Sequence, residues 1–465
     1  MPKSKDHRLP TNISSKCVKC GTCHSVCPVF DAVPTESHTA RGKMALIEAV
    51  AQGRLEESER YRDYLEACLL CGACQEACPN EVPTLAAMLE ARESLAGRMG
   101  LKTGKGMILN HLLATARGFR LAMRTGRAVQ GLMFRRIPES SGLRRRFPLP
   151  LIPEDRTIPG VARDFFTDLY TGTVRTGSGP RVGIFAGCMT NYFYPETGAD
   201  MVDLLGMLGA TVVVPEGQVC CGMPALAGGA RDTVRDLAMQ NLEAFEEYDL
   251  DAIVTGCASC GGNLKDNFRA LLAEAGASEP RIEAFLSKVM DINEYLARMG
   301  LPSRTGEGAD EEAGREPLTV TYHHPCHLGR LQGVKEEPVR LIQALPGVRY
   351  VPMEEADRCC GMGGSFSIEN YDISKRINDR KVDRILETGA QAVVTSCPAC
   401  ILHIRDGLRR RGRADVEVHH VAELITRRME EEEVESGKEK GESGRGDAET
   451  RGRGEEVSCE GERGG

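Results

Sequence analysis

The chain of 465 residues has no tryptophan, and aromatic residues make up only 5% of it. So few flat rings leave no stacking platform for nucleic-acid bases and do not suit a secreted recognition module. An excess of positive charge is also missing: 59 Lys and Arg face 67 Asp and Glu, for a formal net charge of −8. That balance argues against nucleic acid as a global partner. No apolar run reaches the length of about eighteen residues that a membrane-crossing helix needs, so no transmembrane segment is expected. Met1–Pro10 is polar and carries neither an apolar h-region nor a twin-arginine signal. These absences lead to an expected cytoplasmic location.

Cysteine, by contrast, is abundant, with 19 residues. Reducing compartments disfavour disulfides, so clustered cysteines there read as metal ligands or redox centres. Scattered buried thiols would show no regular spacing, whereas these fall into two internal repeats. The first pairs Cys17, Cys20, Cys23, Cys27 with Cys68, Cys71, Cys74, Cys78. The second pairs Cys188, Cys220, Cys221, Cys257, Cys260 with Cys326, Cys359, Cys360, Cys397, Cys400. Only Cys459 is left over, in a Glu/Lys/Arg/Gly-rich end that reads as a disordered tail, and it reads as a bystander.

Around the first repeat, Ala40–Val50 and Glu57–Ala67 show apolar residues at three-to-four spacing, which predicts helices. Around the second, strand-like and helix-like segments alternate. Arg181–Ala186, Thr211–Pro215 and Ala252–Thr255 read as strands, with helices over Met201–Leu208 and Asp232–Phe245. Leu318–Tyr322, Val348–Pro352 and Ala392–Thr395 repeat the strand roles, with helices over Pro338–Leu345 and Ile373–Leu386. Such alternation predicts right-handed βαβ units with a parallel sheet, and places each cysteine group beyond the carboxyl end of a strand.

The expected architecture is therefore an α-helical two-cluster ferredoxin-type domain followed by two duplicated α/β domains. The expected boundaries are 1–94 for the helical domain, 95–180 for an arginine-rich connecting region and 181–302 for the first α/β domain. A polar linker over 303–317, the second α/β domain over 318–428 and the charged tail over 429–465 complete the chain.

Cys17-Val-Lys-Cys20-Gly-Thr-Cys23-His-Ser-Val-Cys27-Pro28 is the C-x2-C-x2-C-x3-C-P run of bacterial ferredoxins, and Cys68 to Pro79 repeats it. Three closely spaced thiolates wrap three corners of a cubane. In two-cluster ferredoxins the fourth comes from the other motif. One [4Fe–4S] cluster is thus expected on Cys17, Cys20, Cys23 and Cys78, and another on Cys68, Cys71, Cys74 and Cys27. Zinc on the C-x2-C pairs is the competing reading.

The downstream pattern reads Gly187-Cys188, Cys220-Cys221-Gly222, Cys257-Ala-Ser-Cys260, then Pro325-Cys326, Cys359-Cys360-Gly361, Cys397-Pro-Ala-Cys400. It resembles the CCG (cysteine-rich) domain family. With two ferredoxin motifs before it, the layout resembles the iron–sulfur subunits of glycolate oxidase, lactate oxidation systems and anaerobic glycerol-3-phosphate dehydrogenase. It is similar, too, to the D subunit of heterodisulfide reductase. The resemblance implies one or two non-cubane [4Fe–4S] clusters on these ten cysteines; a redox disulfide or zinc on the adjacent cysteines is the alternative. His323, His324 and His327 flank Cys326 and are candidates for tuning or proton relay, beside a purely structural role.

No dinucleotide fingerprint or flavin motif is present, so hydride chemistry belongs to another subunit. The resemblance implies an FAD-containing dehydrogenase partner that oxidises a 2-hydroxyacid, with electrons leaving toward a quinone or cytochrome at the membrane. Direct reduction of a disulfide at a CCG-bound cluster is the alternative. Nine arginines between Arg117 and Arg146, interleaved with Leu121, Met123, Val129, Leu132, Met133 and Phe134, read either as a basic face lying on the inner membrane surface or as a solvated helix packed on the core.

Overall fold

A computed structural model describes residues 16–102, 115–137, 142–148, 152–301 and 316–431, together with Gly106 and Ile108. Cys459, most of the expected linker and residues 432–465 of the expected tail lie outside the described residues.

The N-terminal part is helical. Thr39 caps the helix Ala40–Ala51 by accepting from Gly42 N, and Ser58 caps Glu59–Glu66 by accepting from Tyr61 N. Met44, Ile47 and Val50 recur at helical spacing and pack with Tyr61, Leu65 and the inner face of Thr84–Met99 (Ala87, Met88, Ala91, Leu95). Gly42 is required there, because a Cβ would sit 1.9 Å from the Glu36 carbonyl oxygen. The cysteine loops are thereby clamped between rigid helices.

Among the described residues twelve strands follow: β1 (Phe134–Arg136), β2 (Gly142–Arg145), β3 (Ile158–Pro159), β4 (Gly172–Arg175), β5 (Arg181–Ile184), β6 (Thr211–Val214), β7 (Ala252–Thr255), β8 (Val289–Asp291), β9 (Leu318–Tyr322), β10 (Val348–Tyr350), β11 (Ala392–Thr395) and β12 (Glu417–His420). The first α/β unit is ordered β4-β6-β5-β7-β8, and the second β10-β9-β11-β12. The order β6-β5-β7-β8 thus recurs as β10-β9-β11-β12, with all pairings parallel. Strands β6, β7 and β11 are buried along their whole length, as parallel strands covered on both faces must be.

Several elements escape the sequence reading. Strand β8 has only three residues, and β12 carries Glu417, His419 and His420, which disguise it as a polar loop. Strand β4 lies within the expected connecting region, yet pairs antiparallel with β6. The same region holds the helix Ala116–Met133 and the small antiparallel sheet β1-β2-β3. It is tied to the α/β units by Arg156 Nη1 donating to Ser367 O (2.5 Å) and Thr157 N donating to Asp406 Oδ1 (2.7 Å). Residues 421–431 are helical, so the first three residues of the expected tail belong to a helix. There Met429 packs on the core, and Arg427 and Arg428 pair with Glu431.

Candidate metal centres

In the helical part, Cys17, Cys20, Cys23 and Cys78 line one cavity, while Cys27, Cys68, Cys71 and Cys74 line a second. Each cavity therefore gathers three thiols of one motif and the last thiol of the other. The backbone explains how the loops curl. The residue before each second cysteine takes positive φ, Lys19 at 61° and Leu70 at 54°, and Gly21 and Gly72 continue the turn at 89° and 76°. Left-handed residues of this kind let a short loop curl back on itself.

The second cavity is the drier. Its charge environment comes from two buried cations. Lys43 Nζ donates to His38 O (2.7 Å) and Ala67 O (2.8 Å) and stands near Cys68 and Cys27; burial holds its pKa below the usual lysine range. Arg92 donates to the carbonyls of Leu65, Cys68 and Ala227, the last belonging to the first α/β unit. Burial raises the Cys27 and Cys74 thiols. The first cavity is wetter: Cys20 is exposed, and the Thr22 hydroxyl beside it lowers its pKa.

In the α/β units each cysteine lies just past a parallel strand. Cys188 follows β5, Cys220 and Cys221 follow β6, and Cys257 and Cys260 follow β7, with Cys257 at the N-cap of the helix Ala258–Glu274. Cys326, Cys359, Cys360, Cys397 and Cys400 occupy the matching places after β9, β10 and β11, with Cys397 at the N-cap position of Pro398–Arg410. Gly187, Gly222 and Gly361 have φ of 65°, 83° and 94°, and a Cβ on Gly187 would stand 2.7 Å from Cys260 Sγ.

Neighbouring thiols interact within each group. Cys188 meets Cys220, Cys220 meets Cys221, Cys221 meets Cys260, and Cys260 meets Cys257. In the second unit Cys326 Sγ lies 4.0 Å from Cys359 Sγ, Cys359 meets Cys360, and Cys400 meets both Cys360 and Cys397. Bonds from Cys220 and Cys260 lower the Cys221 thiol to about 6, and bonds from Cys359 and Cys400 hold Cys360 well below the ordinary thiol range. Donation to a neighbouring sulfur, then burial, raises Cys188 and Cys326.

Two contacts join groups that the sequence reading treated separately. Cys257 meets Cys397 across the two units, supported by Ala258 N donating to Ser396 O (3.2 Å). Cys71 of the helical part meets Cys359. His327 Nε2 stands 3.0 Å from Leu70 O, and Arg330 bridges Glu76 and Asp357 at the same junction. Lys43, Arg92 and Arg330 were missed because single basic residues at helical spacing resemble surface positions.

None of the eighteen described cysteines is in a disulfide. Soft sulfurs grouped in this way, all but Cys20 buried or half-buried, suit iron–sulfur chemistry and do not suit a hard cation.

The arginine-rich helix Ala116–Met133 packs Phe119 against Tyr192 (5.0 Å between centroids), while Arg120 and Arg124 pair with Asp168. Leu121 and Leu132 remain exposed, at 66% and 73%. No helix among the described residues is long and apolar enough to cross a membrane.

Residues 182–265 and 320–405 match the cysteine-rich CCG domain family, and residues 13–82 match the 4Fe-4S dicluster domain. The chain is 32% identical to a subunit of the CoM/CoB fumarate reductase of Methanothermobacter marburgensis, over 88% of this chain and 71% of that protein. It is 31% identical to a probable glycolate oxidase iron-sulfur subunit of Bacillus subtilis, over 88% of this chain and 92% of that one. Lactate utilization protein A of an Exiguobacterium species is 32% identical over 53% of this chain and 97% of its own length. With its motifs, sheet order and relatives in agreement, the chain belongs to the family of iron–sulfur proteins that join a 4Fe-4S dicluster domain to two cysteine-rich CCG domains.

Proposed function

We propose that this chain is the electron-transfer subunit of a flavin-dependent complex that oxidises a 2-hydroxyacid such as glycolate or lactate. The observation that carries the reading is the continuity of the sulfur groups. Cys71 meets Cys359, and Cys257 meets Cys397, so no cysteine group beyond the first cavity is isolated. The first cavity adjoins the second through the crossed cysteines, Cys27 and Cys78.

When bound, iron–sulfur clusters supply one-electron carriage. In this reading Cys17, Cys20, Cys23 and Cys78 hold one cubane [4Fe–4S] cluster, and Cys68, Cys71, Cys74 and Cys27 hold another. Cys188, Cys220, Cys221, Cys257 and Cys260 hold a non-cubane cluster, as do Cys326, Cys359, Cys360, Cys397 and Cys400. Exposed Cys20 marks the end open to a partner. Buried Lys43 and Arg92 offset negative charge near the second cavity without admitting water. An FAD-containing dehydrogenase subunit supplies the electrons, and a membrane quinone or cytochrome receives them. The exposed Leu121 and Leu132 among arginines support a peripheral site on the inner membrane face. The domain boundaries expected from sequence hold in this reading, except that β4 joins the first CCG sheet and the second CCG unit runs on to residue 431.

A second reading is supported by two complete CCG motifs and by the relationship to the CoM/CoB fumarate reductase protein: reduction of a disulfide substrate at one of the CCG sites. Anaerobic native purification, followed by visible spectra as D-lactate, L-lactate, glycolate or glycerol 3-phosphate is added, separates the two. Bleaching by one of these acids supports the relay. No bleaching, with re-oxidation of the dithionite-reduced protein by a disulfide, refutes it in favour of the second reading.

A further inference from the structure

A cleft of about 610 Å³ lies between the small sheet of the connecting region and the second CCG unit, and no cysteine lines it. Space of that size takes a small molecule. All nine residues lining it are charged, six basic and three acidic, in a chain whose net charge is −8. Without an apolar or aromatic wall, the cleft offers nothing to a quinone ring, a flavin or an acyl chain.

Most of these charges already have partners. Lys375 Nζ donates to Asp155 Oδ2 (2.5 Å), which leaves Asp155 Oδ1 to the Tyr371 hydroxyl (3.0 Å). Arg410 pairs with Asp379 and Asp406, and Arg411 with Asp383 (3.0 Å). Glu154 stands 3.8 Å from Arg145. Three guanidiniums remain, those of Arg135, Arg144 and Arg409, with no acid and no hydrogen-bond acceptor among the described residues. Arg144 Nε is in addition a buried donor left unsatisfied, which is costly.

Their placement adds to that cost. Arg135 on β1 and Arg144 on β2 are directly opposite in the strand pairing, where like charges destabilise a sheet. Arg409 comes from the last turn of Pro398–Arg410, on the other side of the cleft. It reaches the sheet because residue 142 is glycine: a Cβ there would stand 2.4 Å from Arg409 Nη1. Burial, then the guanidiniums of Arg405 and Arg144, hold the Arg409 pKa below the usual arginine range. Complementing the helix dipole accounts for a basic residue at position 409, but not for the facing pair on β1 and β2.

We propose that Arg135, Arg144 and Arg409 form a binding site for a compact polyanion, a phosphate ester or a polycarboxylate. Guanidinium forks match the paired oxygens of either group, and a bound anion relieves the repulsion among the three. The site is separate from the cysteine groups, so it does not depend on whether they hold iron. A bound anion joins β1 and β2 to the helix that carries Cys400, and so ties the connecting region to the second CCG unit.

Isothermal titration calorimetry of the anaerobically purified full chain, in phosphate-free chloride buffer, tests this with inorganic pyrophosphate in one arm and citrate in the other. The expected result is saturable binding of one anion per chain in at least one arm. The tighter arm distinguishes a phosphate ligand from a carboxylate one. Arg409→Gln and Arg144→Gln should each weaken that binding about tenfold or more. Arg298→Gln, at an exposed arginine of the first CCG unit outside the cleft, should leave it unchanged. Absence of binding in both arms at millimolar concentrations overturns the proposal. So does binding that neither cleft substitution weakens, or that Arg298→Gln weakens equally. Flotation with phosphatidylglycerol vesicles is the third arm: attachment lost in Arg409→Gln, with neither soluble anion bound, makes the cleft a membrane contact and overturns the proposal. Should Arg409→Gln or Arg144→Gln fail to fold, Arg135→Gln, at an exposed side chain, decides.

Discussion

Asp291 is a fully buried acid at the seam between the two CCG units, and replacing it with asparagine has a calculable, pH-dependent effect. Its Oδ1 accepts from Asn293 N (2.9 Å) and Asn293 Nδ2 (2.5 Å), and its Oδ2 has no partner among the described residues. Asn293 Nδ2 continues to Ser396 Oγ (2.9 Å), which meets the Tyr322 hydroxyl (2.9 Å) directly before Cys397. Burial pushes the Asp291 pKa from 3.8 up to about 7. A carboxyl whose pKa is raised on folding favours the folded state while protonated. This contribution is complete below the unfolded value and is lost as pH rises toward about 7, with no further change above. At 1.36 kcal/mol per pH unit, the window is worth roughly 4 kcal/mol, of which about 2 kcal/mol falls between pH 5.5 and 7. Asparagine keeps the acceptor oxygen and cannot ionise. Asp291→Asn should therefore gain about 2 kcal/mol on the unsubstituted protein between pH 5.5 and 7. Anaerobic denaturant titrations followed by far-ultraviolet circular dichroism at pH 5.5, 6.25, 7 and 8 measure this difference. Asp200, also raised to about 7 by burial, titrates in both proteins and cancels from it. Parallel pH curves for the two proteins would refute the reasoning.

Three further perturbations test other parts of the structure. Arg92→Met leaves the buried carbonyls of Leu65, Cys68 and Ala227 without their cationic donor and should cost about 3 kcal/mol or more, read from the same titrations at neutral pH. Gly187→Ala places a side chain at positive φ with its Cβ 2.7 Å from Cys260 Sγ; iron analysis should show a loss confined to one CCG site, with the N-terminal EPR signals intact. Lys43→Met removes a buried cation beside Cys27 and Cys68, so a potentiometric EPR titration should find one N-terminal centre shifted to more negative potential and the others unmoved.

Cysteine spacing was enough to divide eighteen thiols into four groups, because spacing reflects local loop geometry. The crossed sets, Cys78 with Cys17 and Cys27 with Cys68, came from the likeness to two-cluster ferredoxins, and the two cavities are lined in the same grouping. Long apolar stretches such as Ala392–Thr395 announced parallel strands, since strands buried on both faces need apolar residues throughout. Strand β12 stayed hidden, as its buried His420 is satisfied by a distant acceptor, Gly256 O at 2.7 Å, that no local pattern encodes. The links of Cys71 to Cys359 and of Cys257 to Cys397 join residues far apart in the chain and depend on how helices and sheets pack. The surroundings of His323 depended equally on packing. The sequence placed it beside a cysteine, but only the tertiary structure set its Nδ1 against Ala356 O and brought the ring near Cys360 and Cys400.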